Sequence, residues 1–598
     1  MILLDTCHPR TLAAWLAEYT RPGHRGSRLE GWLFESAEAR RAAEARLAQA
    51  GVIARLRSAY KPLLHYFLEE ADLQGLRLAV VRYPVHPDAA PNRYTLEAYP
   101  LAGLLPDAPV RFEAGGAELL RAVPGQPAPQ PIYLVDLHYA DGRVARAQVE
   151  APNWLAPGQR ALSPTGWLRV TDAAGRPQHD AACLTEYQAV YADTMACVRA
   201  QPWKREPYFP RLAVRADIPA LEFAPGFDEA LVSTCEALHE DLYFSLLEHF
   251  QQLSGRPPGD RGLQPGQIVP DIRPLMPDDG QARLRVEVRE VAAAPAMAPQ
   301  PAQGSLDEVD APMPPARIAG WLAGLGGEPF QAVSRQGRPV EGRYLPGPGP
   351  AVLISAAQHA NETSGVVGAL RAAYTLKESG DAHFALIACE NPDGYALHQQ
   401  YCAVHPRHMH HAARYSALGD DVAYREQAPR YEQQARIDAL AMSGAQLHVN
   451  LHGYPAHEWT RPMSGYLPHL FEAWTIPRGF FLVLRYHPGW QAQARQLIEG
   501  VTARLARLPG LLEFNAMSAR LYEAHTLQSG FDCINGIAVH SAESRQERAP
   551  LAILSEFPDE TVYGERFRLA HTVQCTTVLA AVAQYRQQQL LQGETRST

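Results

Sequence analysis

Residues 354–370 read ISAAQHANETSGVVGAL: small and apolar as far as Gln358, then His359, then Glu362 three positions on. The run that leads into it, PAVLISAAQ (350–358), is almost continuously apolar, the pattern of a strand covered on both faces. TSGVVGALRAAYTL (363–376) then sets Val366, Val367, Leu370 and Tyr374 along one side of a helix. Open α/β sheets are built from such strand–loop–helix units and keep their active sites at the carboxyl ends of the strands. His359 and Glu362 are therefore candidate metal ligands, because a bend in the loop lets residues three apart converge on one ion.

Alone, H-x-x-E is a weak signal in a chain with 23 histidines and 64 acidic residues. Three more strand-like runs strengthen it. HFALIACENPDGYAL (383–397) closes on Asn-Pro-Asp-Gly, a turn signal. LHVNLHGYPAHEW (447–459) delivers His452 just before a glycine, and APLAILSEFPDETVYG (549–564) is read as a strand ending at Glu556. His448 is set aside as a ligand, since four residues along one strand place it more than about 10 Å from His452. His457 and Glu458 do not open an H-E-x-x-H motif, because residue 461 is arginine.

The order H-x-x-E, N-P-D-G-Y, strand-terminal His-Gly, and strand-terminal Glu with Tyr-Gly seven and eight residues later resembles the zinc carboxypeptidases of the M14 (carboxypeptidase A-like) family, over about residues 316–598. The resemblance implies a mixed central sheet flanked by helices and one Zn²⁺ per chain, held by His359, Glu362 and His452 with water in the fourth position. Two imidazoles and one carboxylate leave such an ion a net positive charge and an open site. The resemblance further implies Glu556 as general base, Arg407, thirteen residues after Gly394, as the cation beside the developing oxyanion, and Tyr563 at the substrate. The chain departs from the family where a D-x-N-R motif holds the substrate carboxylate; AARYSALGDDVAYRE (412–426) offers Arg414 or Arg425 instead. The window GFDCINGIAVHSAESRQERAP (530–550) has no tyrosine to match the family's mobile one, which leaves His540 or Tyr522.

The function expected is a zinc metallocarboxypeptidase acting on a peptide or peptide-like small molecule. A zinc deacylase of small N-acyl amino acids, as in the succinylglutamate desuccinylase and aspartoacylase group, is the alternative, and a non-catalytic binding protein is a third reading. HPRHMHH (405–411) is read as a polar loop lining the cleft rather than a second metal site, because no acid or cysteine spacing is found to complete a coordination set.

At 598 residues the chain exceeds one ordinary core. Residues 1–290 are read as a mixed α/β region, with helical spacing in 35–70, strands in LRLAVVRYPV (76–85), PIYLVDLHYADGRV (131–144) and RLRVEVREV (283–291), and a helix in 227–251. In that helix His239 and Glu240 point about 100° apart and are read as solvated or capping residues. Residues 291–316, rich in Pro and Ala, are read as a linker, and 317–598 as the catalytic domain. The formal charge of -9, spread without like-charge blocks, points away from nucleic acid and from a polybasic membrane anchor. No run approaches the roughly 20 apolar residues of a membrane span. The amino terminus reaches Asp5 without a basic region and a long apolar stretch, and the eight cysteines form no C-x-x-C pair, so a reducing cytoplasm is the expected location.

Overall fold

The computed structural model describes all residues except 88, 90–92, 127, 156–161, 277–279, 292, 294–296, 381–382, 426, 466–474, 527–531 and 597–598. The apolar run around Ile354 forms the strand Val352–Ala356, fully buried along its length, and the helix Ser364–Glu378 follows it. This strand lies inside a mixed nine-stranded sheet. Its neighbours are Phe384–Ile387 and Leu447–Pro455, both parallel to it, and Leu551–Glu560 continues the parallel stretch beyond Leu447–Pro455. Antiparallel strands follow on both sides, Pro339–Leu345 against Phe384–Ile387 and Phe481–Tyr486 against Leu551–Glu560. Helices Ser364–Glu378 and Gly564–Arg596 pack together on one face. They approach closely because residue 368 is glycine: a Cβ there would stand 2.4 Å from Gln574 Cβ.

The Asn-Pro-Asp-Gly signal turns out to be a helix start. Asn391 caps the helix Pro392–Cys402, its side-chain oxygen accepting from Gly394 N at 3.0 Å, and Pro392 occupies the first turn, where a missing N–H costs nothing. The last strand differs from expectation as well. It runs on to Glu560, so Glu556 sits in mid-strand, directly in register with His452.

The first half contains a strand-rich region of several sheets. Its amino-terminal strand Ile2–Pro9 pairs with Gln281–Arg289, tying the start of the chain to the end of this half. Helical spacing over 35–70 is interrupted by the strand Ile53–Ser58 between the helices Ala37–Gln49 and Pro62–Glu69. Part of the Pro/Ala-rich stretch is docked on the second half: Leu306, Val309 and Met313 are buried in its core, Gly564 N donates to Asp310 O at 2.7 Å, and the Tyr395 hydroxyl donates to Met313 O at 2.8 Å. Isolated apolar residues anchor an irregular segment without any period for a sequence reading to find. Residues 292 and 294–296 of that stretch lie outside the described residues.

The helix Thr234–Leu253 joins the two halves. Its apolar face packs into the first half, as the three-and-four spacing predicts, but its acidic face is buried too. Residues of the second half cover that face. His457 Nε2 meets Glu236 at 2.9 Å, Met463 N donates to Asp241 at 2.5 Å, and Arg461 pairs with Glu248 at 2.5 Å. His239 and Glu240 are accordingly buried, at 6% and 0% exposure, and neither is solvated.

A second tie is the Lys61–Glu458 ion pair, both side chains buried, with the Lys61 ammonium also donating to Tyr99 O at 3.3 Å. Removing one partner of a buried pair strands the other charge, which costs about 3–5 kcal/mol. Lys61→Met is expected to lower the unfolding free energy by about that amount, read from the denaturant midpoint, and adding Glu458→Leu should recover most of it. A single-variant loss below about 1 kcal/mol, the range of an exposed pair, would show that this contact does not hold the halves together.

Candidate metal centre

His359 and Glu362 follow the strand Val352–Ala356, and His452 comes from the neighbouring strand Leu447–Pro455. Their donor atoms converge: His359 Nδ1 to Glu362 Oε1 is 2.8 Å, His452 Nδ1 to Glu362 Oε2 is 2.9 Å, and the two Nδ1 atoms are 3.1 Å apart. All three residues are buried. Gly453 is required beside His452 because a Cβ there would fall 1.8 Å from Asp559 Oδ1.

The tautomer of His359 is set from outside. Its Nε2 stands 3.1 Å from Asp421 Oδ2, so the ring donates Nε2–H to the carboxylate and turns the Nδ1 lone pair inward. Asp421 is itself held by Gln358 Nε2 at 2.9 Å and Ala423 N at 3.1 Å. Gln358 in turn accepts from Arg436 Nη2 at 2.8 Å and Asn450 Nδ2 at 2.9 Å. Burial would raise the Glu362 carboxyl, but His359, Arg414 and His452 outweigh it and hold it well below the usual carboxylate range. Burial lowers His452, against the pull of Glu362, so this imidazole is neutral. Two imidazoles that turn their Nδ1 atoms toward one ionised carboxylate make a donor set that fits a divalent cation of the zinc type. Donors around a tetrahedral zinc stand roughly 3.4 Å apart, a few tenths of an ångström wider than the spacing here.

The centre opens on a cleft of about 150 Å³. Glu556 lines it beside His452. Burial and the charge of Glu362 push the Glu556 carboxyl well up, with Arg414 opposing. Phe244, Tyr454 and Trp459 supply apolar wall, and Arg261, Arg414 and Arg436 supply positive charge.

The sequence-assigned arginines divide between the cleft and its surroundings. Arg414 lines the cleft and donates Nη1 to Glu362 Oε1 at 2.6 Å. Arg407 is exposed and is not among the lining residues; its loop turns that side chain outward and Arg414 inward. Arg425 is consumed in a buried cluster with Asp420, at 2.6 Å, and Glu432, which keeps it off the cleft wall. Tyr563 donates its hydroxyl to Pro406 O at 2.9 Å and contacts Cys402, away from the cleft lining. His540 is exposed and Tyr522 is buried against Tyr99 and Ile476, so neither reaches the centre. His448 bonds Ser355 Oγ at 2.8 Å, within the sheet and away from the candidate ligand atoms. Of the 405–411 loop only His411 lines the cleft, its Nδ1 on Glu240 Oε2 at 2.6 Å.

Sequence reasoning missed Asp421, Arg261, Arg436, Phe244 and Tyr415. The Asp-Asp pair at 420–421 was the available signal for the first; Arg261 and Phe244 come from the first half and carry no local mark of a site.

No family model matches the chain, and no curated protein matches it. Among solved structures, it is similar to a metallo-carboxypeptidase from Burkholderia cenocepacia, with 16% identity over 51% of this chain and 75% of that one, at a TM-score of 0.28. A metallo-carboxypeptidase from Pseudomonas aeruginosa, in complex with (2-guanidinoethylmercapto)succinic acid, matches at 16% identity over 52% and 74%, TM-score 0.27. The murein-tripeptide amidase MpaA from Escherichia coli O157 matches at 14% identity over 46% of this chain and 97% of that one, TM-score 0.23. Likeness at these values does not fix a family, and what the centre can do follows from its own donors. Among the described residues, no helix is long and apolar enough to cross a membrane.

Proposed function

We propose that this chain is a metal-dependent hydrolase of an amide bond, a zinc metallocarboxypeptidase acting on a peptide or peptide-like substrate. The observation that carries the reading is the convergence of His359 Nδ1, His452 Nδ1 and the Glu362 carboxylate within 3.1 Å of one another, with Glu556 in register beside His452 on the wall of the same cleft. A zinc ion held there would supply Lewis acidity toward the scissile carbonyl and acidify a water. Glu556, in register beside His452 on the cleft wall, would take the proton of the attacking water and return it to the leaving amine nitrogen. Asp421 keeps His359 in the tautomer that faces the ligand set. Arg414, Arg261 and Arg436 line the cleft, Arg414 on Glu362, Arg261 beside Asp421 and Arg436 paired with Glu390. These guanidinium groups are the candidates for an oxyanion or carboxylate contact in place of Arg407 and Arg425.

One observation favours a smaller substrate. The room in the cleft, about 150 Å³, is below the roughly 300–1,000 Å³ of sites that take drug-sized ligands. That keeps a deacylase of small N-acyl amino acids as the second reading. Both are tested by incubating zinc-loaded protein with a mixed peptide library and with a panel of N-acyl amino acids, followed by mass spectrometry, with chelator-treated protein as the blank. Loss of single carboxyl-terminal residues is the expected result. Acyl release without peptide trimming would move the assignment to the deacylase. No turnover of either set by protein that holds zinc at His359, Glu362 and His452 would overturn both.

A further inference from the structure

The helix Pro392–Cys402 places His398 and Cys402 one turn apart on the same face, the spacing at which two side chains can hold one ion. Cys402 Sγ is 3.4 Å from His398 Nε2. His410 reaches the same point from the loop that follows, its ring 5.5 Å from that of His398 and stacked on Tyr401 at 4.8 Å. The three donor atoms lie within 4.8 Å of one another. His410 is 2% exposed, yet among the described residues neither of its ring nitrogens has a hydrogen-bond partner. A buried imidazole with both nitrogens unsatisfied costs stability and calls for a missing partner.

Its loop neighbours are satisfied. His405 Nε2 bonds Ile272 O at 2.9 Å, His408 Nε2 bonds Glu222 at 2.9 Å, and His411 Nδ1 bonds Glu240 at 2.6 Å. What singles out His410 is therefore its own position facing His398 and Cys402, and not burial of the loop as a whole.

We propose that His398, Cys402 and His410 form a second, structural zinc site, distinct from the centre at His359, Glu362 and His452. The donor chemistry matches: two imidazoles and one thiolate suit a borderline-soft divalent ion. Burial holds His398, at about 4, and His410 in the neutral, ligating form. Burial also raises the Cys402 thiol to about 11, with the Tyr563 hydroxyl opposing, so the free site keeps its proton. Binding therefore breaks the S–H bond, forms a metal–sulfur bond and releases one proton to solvent. Cys402 is partly exposed, which gives the ion a way in. The site would clamp the helix Pro392–Cys402 to the loop that continues into His411 and Arg414 at the cleft. It does not depend on the hydrolase reading.

Full-length protein reconstituted with Co²⁺, and separately with Zn²⁺, tests it. The wild type is expected to bind two ions per chain and, with Co²⁺, to show near-ultraviolet thiolate-to-cobalt charge transfer, which a His₂Glu centre cannot produce. Cys402→Ser should drop to one ion and lose the band; His359→Ala should also drop to one ion but keep the band. His410→Gln provides a second route to the same loss should Cys402→Ser fold poorly. Absence of the band in wild-type protein, or its survival in Cys402→Ser, would overturn the proposal. An unchanged metal count in His359→Ala with the band intact would instead count against the first centre.

Discussion

Glu556→Gln is expected to abolish hydrolysis while leaving the metal content unchanged. The substitution keeps the size of the side chain and replaces a carboxylate that can accept and return a proton with an amide that cannot. The strand register that sets Glu556 beside His452 comes from backbone pairing, which an amide leaves intact. General acid–base groups contribute about 10²–10⁴-fold each, and here one carboxyl would take the proton from water and deliver it to the amine. The rate should fall by roughly 10⁴-fold, with the loss in kcat rather than in KM, because the group acts on the reacting atoms and not on ground-state binding. A variant that stays within about tenfold of the wild type would remove Glu556 from the mechanism. The alternative base in the cleft would then be Glu547, which also lines it.

The parts of the site that could be read in the sequence are those set by local chain geometry. An apolar strand that ends in a polar loop, and a strand in which histidine is followed by an obligatory glycine, each mark a position by short-range pattern; His359, Glu362 and His452 meet for that reason. The arginine at the cleft could not be read the same way. Counting from Gly394 selects Arg407, but which guanidinium in a loop turns inward is decided by distant partners, and Glu362 draws in Arg414. Asp421 acts on His359 from 62 residues away along the chain, a separation that leaves no periodic trace.

The helix Thr234–Leu253 makes the same point about burial. Its leucines announce an apolar face, and its acidic residues read as a solvated one. A polar face is solvated only if nothing complementary covers it. Here His457 and a loop amide of the second half face it, so that Glu236 and Asp241 keep hydrogen-bond partners away from water. The pair His398 and Cys402 was overlooked for a related reason: a cysteine search for C-x-x-C misses one thiolate combined with imidazoles on a helix face.

His359→Ala is expected to empty the first centre. On the proposed reading three protein donors would hold the ion, and this imidazole is the one oriented by a buried carboxylate. Loss of an outer partner such as Asp421 costs about 10–100-fold in metal affinity, so Asp421→Asn sets the lower bound and loss of the ligand itself should exceed it. Competition with a chromophoric chelator in the Cys402→Ser background, followed by metal analysis after dialysis, gives both numbers on one scale without a contribution from the second site. The order His359→Ala well below Asp421→Asn, and both below wild type, is what the geometry requires. Equal affinities for Asp421→Asn and wild type would mean that the 3.1 Å contact does not orient the ring. Wild-type affinity in His359→Ala would mean that the ion sits elsewhere, since Glu362 and His452 by themselves leave two of four tetrahedral positions to water and cannot match a three-ligand site.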